Sequence, residues 1–282
     1  PSTSPMQSSP SLLLDCAWDL NVPLGHAQNT AKHIEEARRL GWRGVAFNVI
    51  LDAKDFSPRD PKLKTHHLMA SEPTRLRDEV FGNGGEIEGG DTKKRAESES
   101  ESESVSVSES STATVSHCYR LTALVHSIQD VARVGKLVNK KGRGGYDVIG
   151  LRPTTAEAFG KCCEVGYHDV LSLDVGHRVS FKISLKHVQA CERKGVAFEL
   201  CYAPSIRDQT ARRNTIANAA EILRLTRGRN VFLSSEAASL IELRGVHDVM
   251  NLGVLFGMKE NEALAAIAKI PNAIVERGRK RR

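Results

Sequence analysis

Short apolar runs alternate with longer stretches whose apolar residues recur every three or four positions, most cleanly between Tyr146 and Lys182. Val148, Ile149 and Leu151 form one run, stopped by Arg152-Pro153, and Val170 to Val175 form the next; both read as strands. Between them Thr154 or Thr155 offers an N-cap oxygen and Glu157 favours the first turn. Ala158, Phe159, Cys162, Cys163 and Val165 then share one face before Gly166 stops the helix. The unit is strand, helix, strand, with the length of a right-handed parallel crossover. Arg152 directly follows the first strand and His177-Arg178 the second, so these cations fall on the edge where the C-terminal ends of parallel strands gather. In an α/β barrel that edge carries function.

The same alternation runs along most of the chain. Asp15 to Pro23, Gly44 to Leu51, Tyr119 to Val125, Val196 to Tyr202 and Val231 to Leu233 read as further strands. Helices are predicted over His33 to Leu40, after Ile128, through Phe181, Ile183, Leu185, Val188 and Cys191, over Ile206 to Arg227, and over Val246 to Met258 and Asn261 to Ile270. Ala273 to Val275 reads as a last strand before a basic tail at 277–282. Seven or eight strands separated by helices, over roughly 220 residues, fit a TIM-like (β/α) barrel. An open doubly wound sheet shares the alternation.

The pattern collapses between about residues 54 and 117, where Glu and Ser alternate strictly from Glu97 to Glu103. So polar a stretch cannot offset its ordering entropy, and it reads as a disordered acidic insertion within one domain spanning 12–276, with a disordered 1–11 ahead of it. The alternation suits either a phosphorylation tract or a solvated tether. The insertion also hides charge. The chain carries +6, but Glu72 to Ser110 holds eleven acids and five bases, so the remainder carries +12. Such an excess suggests a polyanionic partner. Six cysteines without C-x-x-C spacing read as reduced, buried thiols, and no apolar run is long enough for a membrane span.

Candidate chemistry at the strand ends is sparse. Asp19, Asn21, Asn48, His126, Asp174, His177, Glu199 and Glu236 are dissimilar, and the first strand ends Asp19-Leu20-Asn21 where a PHP-type phosphoesterase would begin His-x-His. A metal-dependent phosphoesterase using Asp19, Asn21 and Asp174 is the enzyme alternative. The basic residues make a stronger set: Arg152, His177, Arg178 and Arg207 follow three strand ends, while Lys182, Lys186, Arg212 and Arg213 extend the field along adjacent helices. Guanidinium groups on rigid strand ends suit phosphates. With aromatics at only 5%, backbone and shape recognition of a folded RNA fits better than a stacking platform. Lys140 to Gly145 adds a basic turn.

Four segments carry a family resemblance: Asp19 to Pro23, Gly41-Trp42-Arg43-Gly44-Val45-Ala46, Asp147 to Pro153, and Leu243 to Gly253 with Ser234-Ser235 before it. Together they resemble the thirty-kilodalton protein subunit family of ribonuclease P, over about residues 12–276 apart from the insertion. The resemblance implies a PHP-like barrel that is not catalytic alone, binds the RNase P or MRP RNA and supports 5′-leader removal from precursor tRNA. It further implies a small Pop-type protein subunit and other complex proteins as partners, and a nuclear, nucleolar location. No cofactor is expected on the protein, and Mg2+ is expected on the RNA. A protein-only scaffold docking through Val246 to Ile270 is the third reading.

Overall fold

The computed structural model describes residues 14, 16–24, 27–55, 115–140 and 146–281. Most of the acidic insertion, the N-terminal 1–11 and the turn at 141–145 therefore lie outside the described residues. Seven strands alternate with helices: β1 (Trp18–Pro23), α1 (Ala27–Arg39), β2 (Gly44–Asp52), β3 (Ser116–Val125), α2 (Ile128–Lys140), β4 (Val148–Pro153), α3 (Ala156–Glu164), β5 (Val170–Ser172) and α4 (Leu185–Lys194). Then come β6 (Ala197–Cys201), the short α5 (Pro204–Arg207), α6 (Gln209–Thr226), β7 (Val231–Ser234), α7 (Val246–Leu255), α8 (Glu260–Ile267) and α9 (Lys269–Lys280). All neighbouring strands pair in parallel, in the order β1 to β7 without reversal. A doubly wound sheet reverses its order at a switch point, so that alternative is removed. The edges of β1 and β7 meet through the Glu236 N–H to the Asn21 carbonyl at 2.9 Å, and the Ser235 N–H to Asp19 Oδ1 at 3.0 Å.

Side chains alternate between the barrel interior and the helix-facing shell. Inward residues change character partway up. Leu20, Ala46, Cys118, Val148, Val170, Ala197 and Phe232 form an apolar floor. Two residues further along their strands stand Asn48, Arg120, Gly150, Ser172, Glu199 and Ser234. The floor is closed from below by Ile274 and Val275 of α9. Ala273 to Val275 are thus helix, not an eighth strand: their apolar run covers a barrel end instead of pairing at an edge. Gly278 permits this, because a Cβ there would lie 1.8 Å from the Asp147 carbonyl oxygen.

Residues 277–280 of the basic tail are likewise part of α9. Arg279 lies 5.7 Å from the centroid of the Trp18 ring and Arg281 Nη1 is 3.2 Å from Asp169 Oδ1. Other boundaries shift for local reasons. The segment at 206–227 breaks at Asp208, whose extended backbone and side-chain bond to the Ala211 N–H cap α6. α4 begins only at Leu185, so Phe181 and Ile183 belong to the loop before it, and β5 ends at Ser172. Five of the six cysteines are buried, Cys16 is exposed, and none forms a disulfide. Among the described residues, no helix is long and apolar enough to cross a membrane.

Candidate nucleic-acid interface at the C-terminal rim

The rim stands on a buried polar layer. Arg120 crosses the interior to Glu199, with Nη2 2.7 Å from Oε2 and both side chains fully buried. Its Nη1 also donates to the Leu20 carbonyl and its Nε to Thr122 Oγ1, each at 3.0 Å. Thr122 in turn donates to Asn48 Oδ1 at 2.9 Å, and Asn48 Nδ2 donates to Asn21 Oδ1 at 2.7 Å. Ser234 Oγ donates to Glu199 Oε1 at 2.7 Å. Gly150 leaves room for this layer, since a Cβ there would meet Thr122 Oγ1 at 3.0 Å and Arg120 Nη2 at 3.1 Å. Burial alone would raise the Glu199 carboxyl, but the Arg120 guanidinium more than offsets it and holds it at about 2.

Asp19 and Asn21 belong to the same closure. Asp19 Oδ1 accepts from the Asn21 and Ser235 N–H groups, while buried Oδ2 has no hydrogen-bond partner. Burial pushes its carboxyl up. Asp174 instead sits exposed in the loop after β5, with Oδ2 2.9 Å from His177 Nδ1. Among the described residues, no three His, Cys, Asp or Glu side chains are grouped to hold a metal ion.

Above that layer, the predicted cations divide into two kinds. Arg152 is turned inward: Nη1 meets Glu236 Oε1 at 2.6 Å, Nε and Nη2 donate to Ser172 Oγ, and the guanidinium side chain is 12% exposed. Arg207 is held by both carboxylate oxygens of Glu242 at 2.8 Å and donates to the Glu236 carbonyl at 2.6 Å. Glu236 therefore joins two arginines and carries a left-handed backbone, with φ of 54°. That conformation is uncommon for a residue with a side chain, and its neighbours hold it in place.

Arg178, Lys182, Lys186 and Arg213 are exposed and make no ion pair among the described residues. Arg212 is exposed too, but its Nε donates to the Ser205 carbonyl at 2.8 Å. His177 is largely exposed beside Asp174. Their loop is anchored from α6, where Asn218 Nδ2 donates to the carbonyls of Val175 (2.9 Å) and His177 (2.8 Å), and Asn214 Nδ2 donates to that of Gly176 (3.1 Å).

Sequence reasoning missed these two anchors, although their spacing of four places them on one helix face. It also missed Asp52 and Thr154. His126 bridges them on the same rim, with Nε2 3.0 Å from Asp52 Oδ2 and Nδ1 2.8 Å from Thr154 Oγ1. Only the fold brings together the ends of β2, β3 and β4.

A seven-stranded parallel barrel with a buried polar layer, whose rim carries both ion-paired arginines and exposed cations, defines the class. Comparison with known sequences gives the family. Residues 17–282 match the family "RNase P subunit p30", and the chain belongs to it. It is 37% identical over 137 residues to the Mus musculus "Ribonuclease P protein subunit p30", covering 49% of this chain and 51% of that protein. It is 27% identical over 113 residues to the Saccharomyces cerevisiae "Ribonuclease P/MRP protein subunit RPP1", covering 40% and 39%. The match thus spans about half or less of these relatives' length. A chain in the cryo-EM structure of archaeal Ribonuclease P with mature tRNA shares the fold, with a TM-score of 0.61 and 14% identity over 93% of this chain and 91% of that one.

Proposed function

We propose that this chain is an RNA-binding protein subunit of ribonuclease P, and also of RNase MRP, that supports 5′-leader removal from precursor tRNA. The cleavage belongs to the RNA component and its Mg2+. Family membership supports the assembly, and the name of the yeast relative supports the extension to MRP. A small Pop-type subunit and the remaining RNase P/MRP proteins complete the partners, and the complex works in the nucleus, chiefly the nucleolus.

The observation that carries the RNA reading is the division of the rim cations. Arg152 and Arg207 are neutralised by Glu236 and Glu242 and stiffen the mouth. Arg178, Lys182, Lys186 and Arg213 make no ion pair among the described residues, so their field extends outward, where a phosphate backbone would release counterions on meeting them. His177 and Arg212 flank that patch. The interior network from Asn21 through Asn48, Thr122 and Arg120 to Glu199 and Ser234 is engaged in its own hydrogen bonds, which favours leaving the chemistry with the RNA. Neutralising Arg178, Lys182 and Lys186 together in the assembled complex tests this. Weaker binding of the RNA component and a shallower dependence of affinity on salt are expected; unchanged affinity and slope would remove this face from the interface.

A further inference from the structure

Two cavities lie side by side on the rim and share the wall formed by Arg178, Val179 and Phe181. The larger, about 360 Å³, faces α6. The smaller, about 270 Å³, opens over the strand ends: Leu124 and Phe181, both partly exposed, contribute apolar surface above the buried Pro153 and Leu173, and Arg152, Thr154, Asp174 and His177 contribute polar groups. We propose that the smaller cavity receives one unpaired nucleotide of the bound RNA, with its base among Leu124, Pro153, Leu173 and Phe181 and its phosphate against Arg178 and His177. This rests on the RNA-binding reading above and names the element of RNA that the rim takes.

The chemistry of the cavity selects this occupant. An apolar lining with the Arg178 guanidinium at the mouth, and His177 oriented there by Asp174 at 2.9 Å, matches a ligand that is flat and apolar at one end and anionic at the other. A volume just under the roughly 300–1,000 Å³ of drug-sized sites takes a single ring system, not a base pair. Proteins read RNA chiefly through bases that are already unstacked, and a single pocket needs no repeated aromatic platform.

The walls are also fixed in advance. Phe181 is held by stacking on Phe159, with centroids 4.7 Å apart and planes 24° from parallel. The backbone at Val175, Gly176 and His177 is held by Asn214 and Asn218. Thr154 is held by His126. A preformed pocket spares the ordering cost that a loose loop would add to binding.

The test uses the whole chain and a five-nucleotide single-stranded RNA, compared with the same strand carrying an abasic central nucleotide. Removing the base is expected to weaken binding by about tenfold or more, as base contacts of this kind do. Ser180, exposed on the cavity lining, provides a way to fill the space. S180W is expected to lower the affinity for the intact strand to that of the abasic one, with an unaltered unfolding midpoint showing that the fold is intact. R178A is expected to weaken both strands. Equal affinity for the two strands would overturn base insertion, yet leave the phosphate reading standing if R178A still weakens both. Binding of neither strand up to millimolar concentration would overturn the pocket, and the salt dependence of the assembled complex would then judge the wider reading separately.

Discussion

Arg152 and Glu236 meet across the barrel mouth at 2.6 Å, one at the end of β4 and the other just beyond β7, so the pair links strands that are not neighbours in the sheet. Removing one member leaves a largely buried charge without its partner. Glu236→Ala is therefore expected to destabilise the fold by about 3 kcal/mol, measured by urea unfolding. A change below about 0.5 kcal/mol would mean that the pair is relaxed by water.

The Arg120–Glu199 pair lies deeper and makes a sharper prediction. Glu199→Gln alone should cost about 3–5 kcal/mol, whereas replacing Arg120 and Glu199 together by Met and Leu should recover much of that loss. A double-mutant cycle of unfolding free energies reads the difference. Additive losses would show that each side chain acts through its other neighbours.

The acid response follows from the same pair. The folded Glu199 carboxyl, at about 2, lies below its ordinary 4.5, so its contribution is present above pH 4.5 and is lost as pH falls towards 2. Asp19 has the opposite sign. Burial raises its carboxyl above the ordinary 3.8, so its contribution is present below that value and is lost as pH rises through the raised one. Asp19→Asn should thus gain stability relative to the parent as pH rises above 3.8, measured as the difference in unfolding midpoints. A constant difference would contradict the shift.

Anchoring of the rim loop predicts a separation of effects. Asn218→Ala removes two hydrogen bonds to the Val175 and His177 carbonyls and should cost about 1–2 kcal/mol. It should also weaken RNA binding several-fold without changing the salt slope, because no cation is removed. A flattened slope would mean that the loop's charges move away altogether.

At the other end of the barrel, Gly278→Ala would drive a Cβ into the Asp147 carbonyl. A loss of about 1–3 kcal/mol is expected, with α9 more exposed to proteolysis. A neutral effect would show that α9 can shift away from the floor without loss.

Much of this architecture was legible from spacing. The strands around Val148 and Val170, the intervening helix and its Thr155 cap follow from local periodicity and capping. Ala273 to Val275 was misread because a three-residue apolar run looks the same in a strand as on a helix face that plugs a barrel. The site was legible only in part. Sequence order puts Arg152 and Arg207 at strand ends, but it cannot show that Glu236 and Glu242, more than thirty residues away, turn to meet them. The polar interior did leave a trace: Ala46-x-Asn48, Val170-x-Ser172, Ala197-x-Glu199 and Phe232-x-Ser234 each step from apolar to polar on one strand face.

The most direct test of the central claim is to tag the protein, purify it from its own cells under native conditions and sequence the RNA that comes with it. Enrichment of the RNase P or MRP RNA, with precursor-tRNA cleavage that nuclease treatment abolishes, is the predicted result. Absence of enriched RNA, under conditions where another subunit of the complex recovers it, would contradict the account.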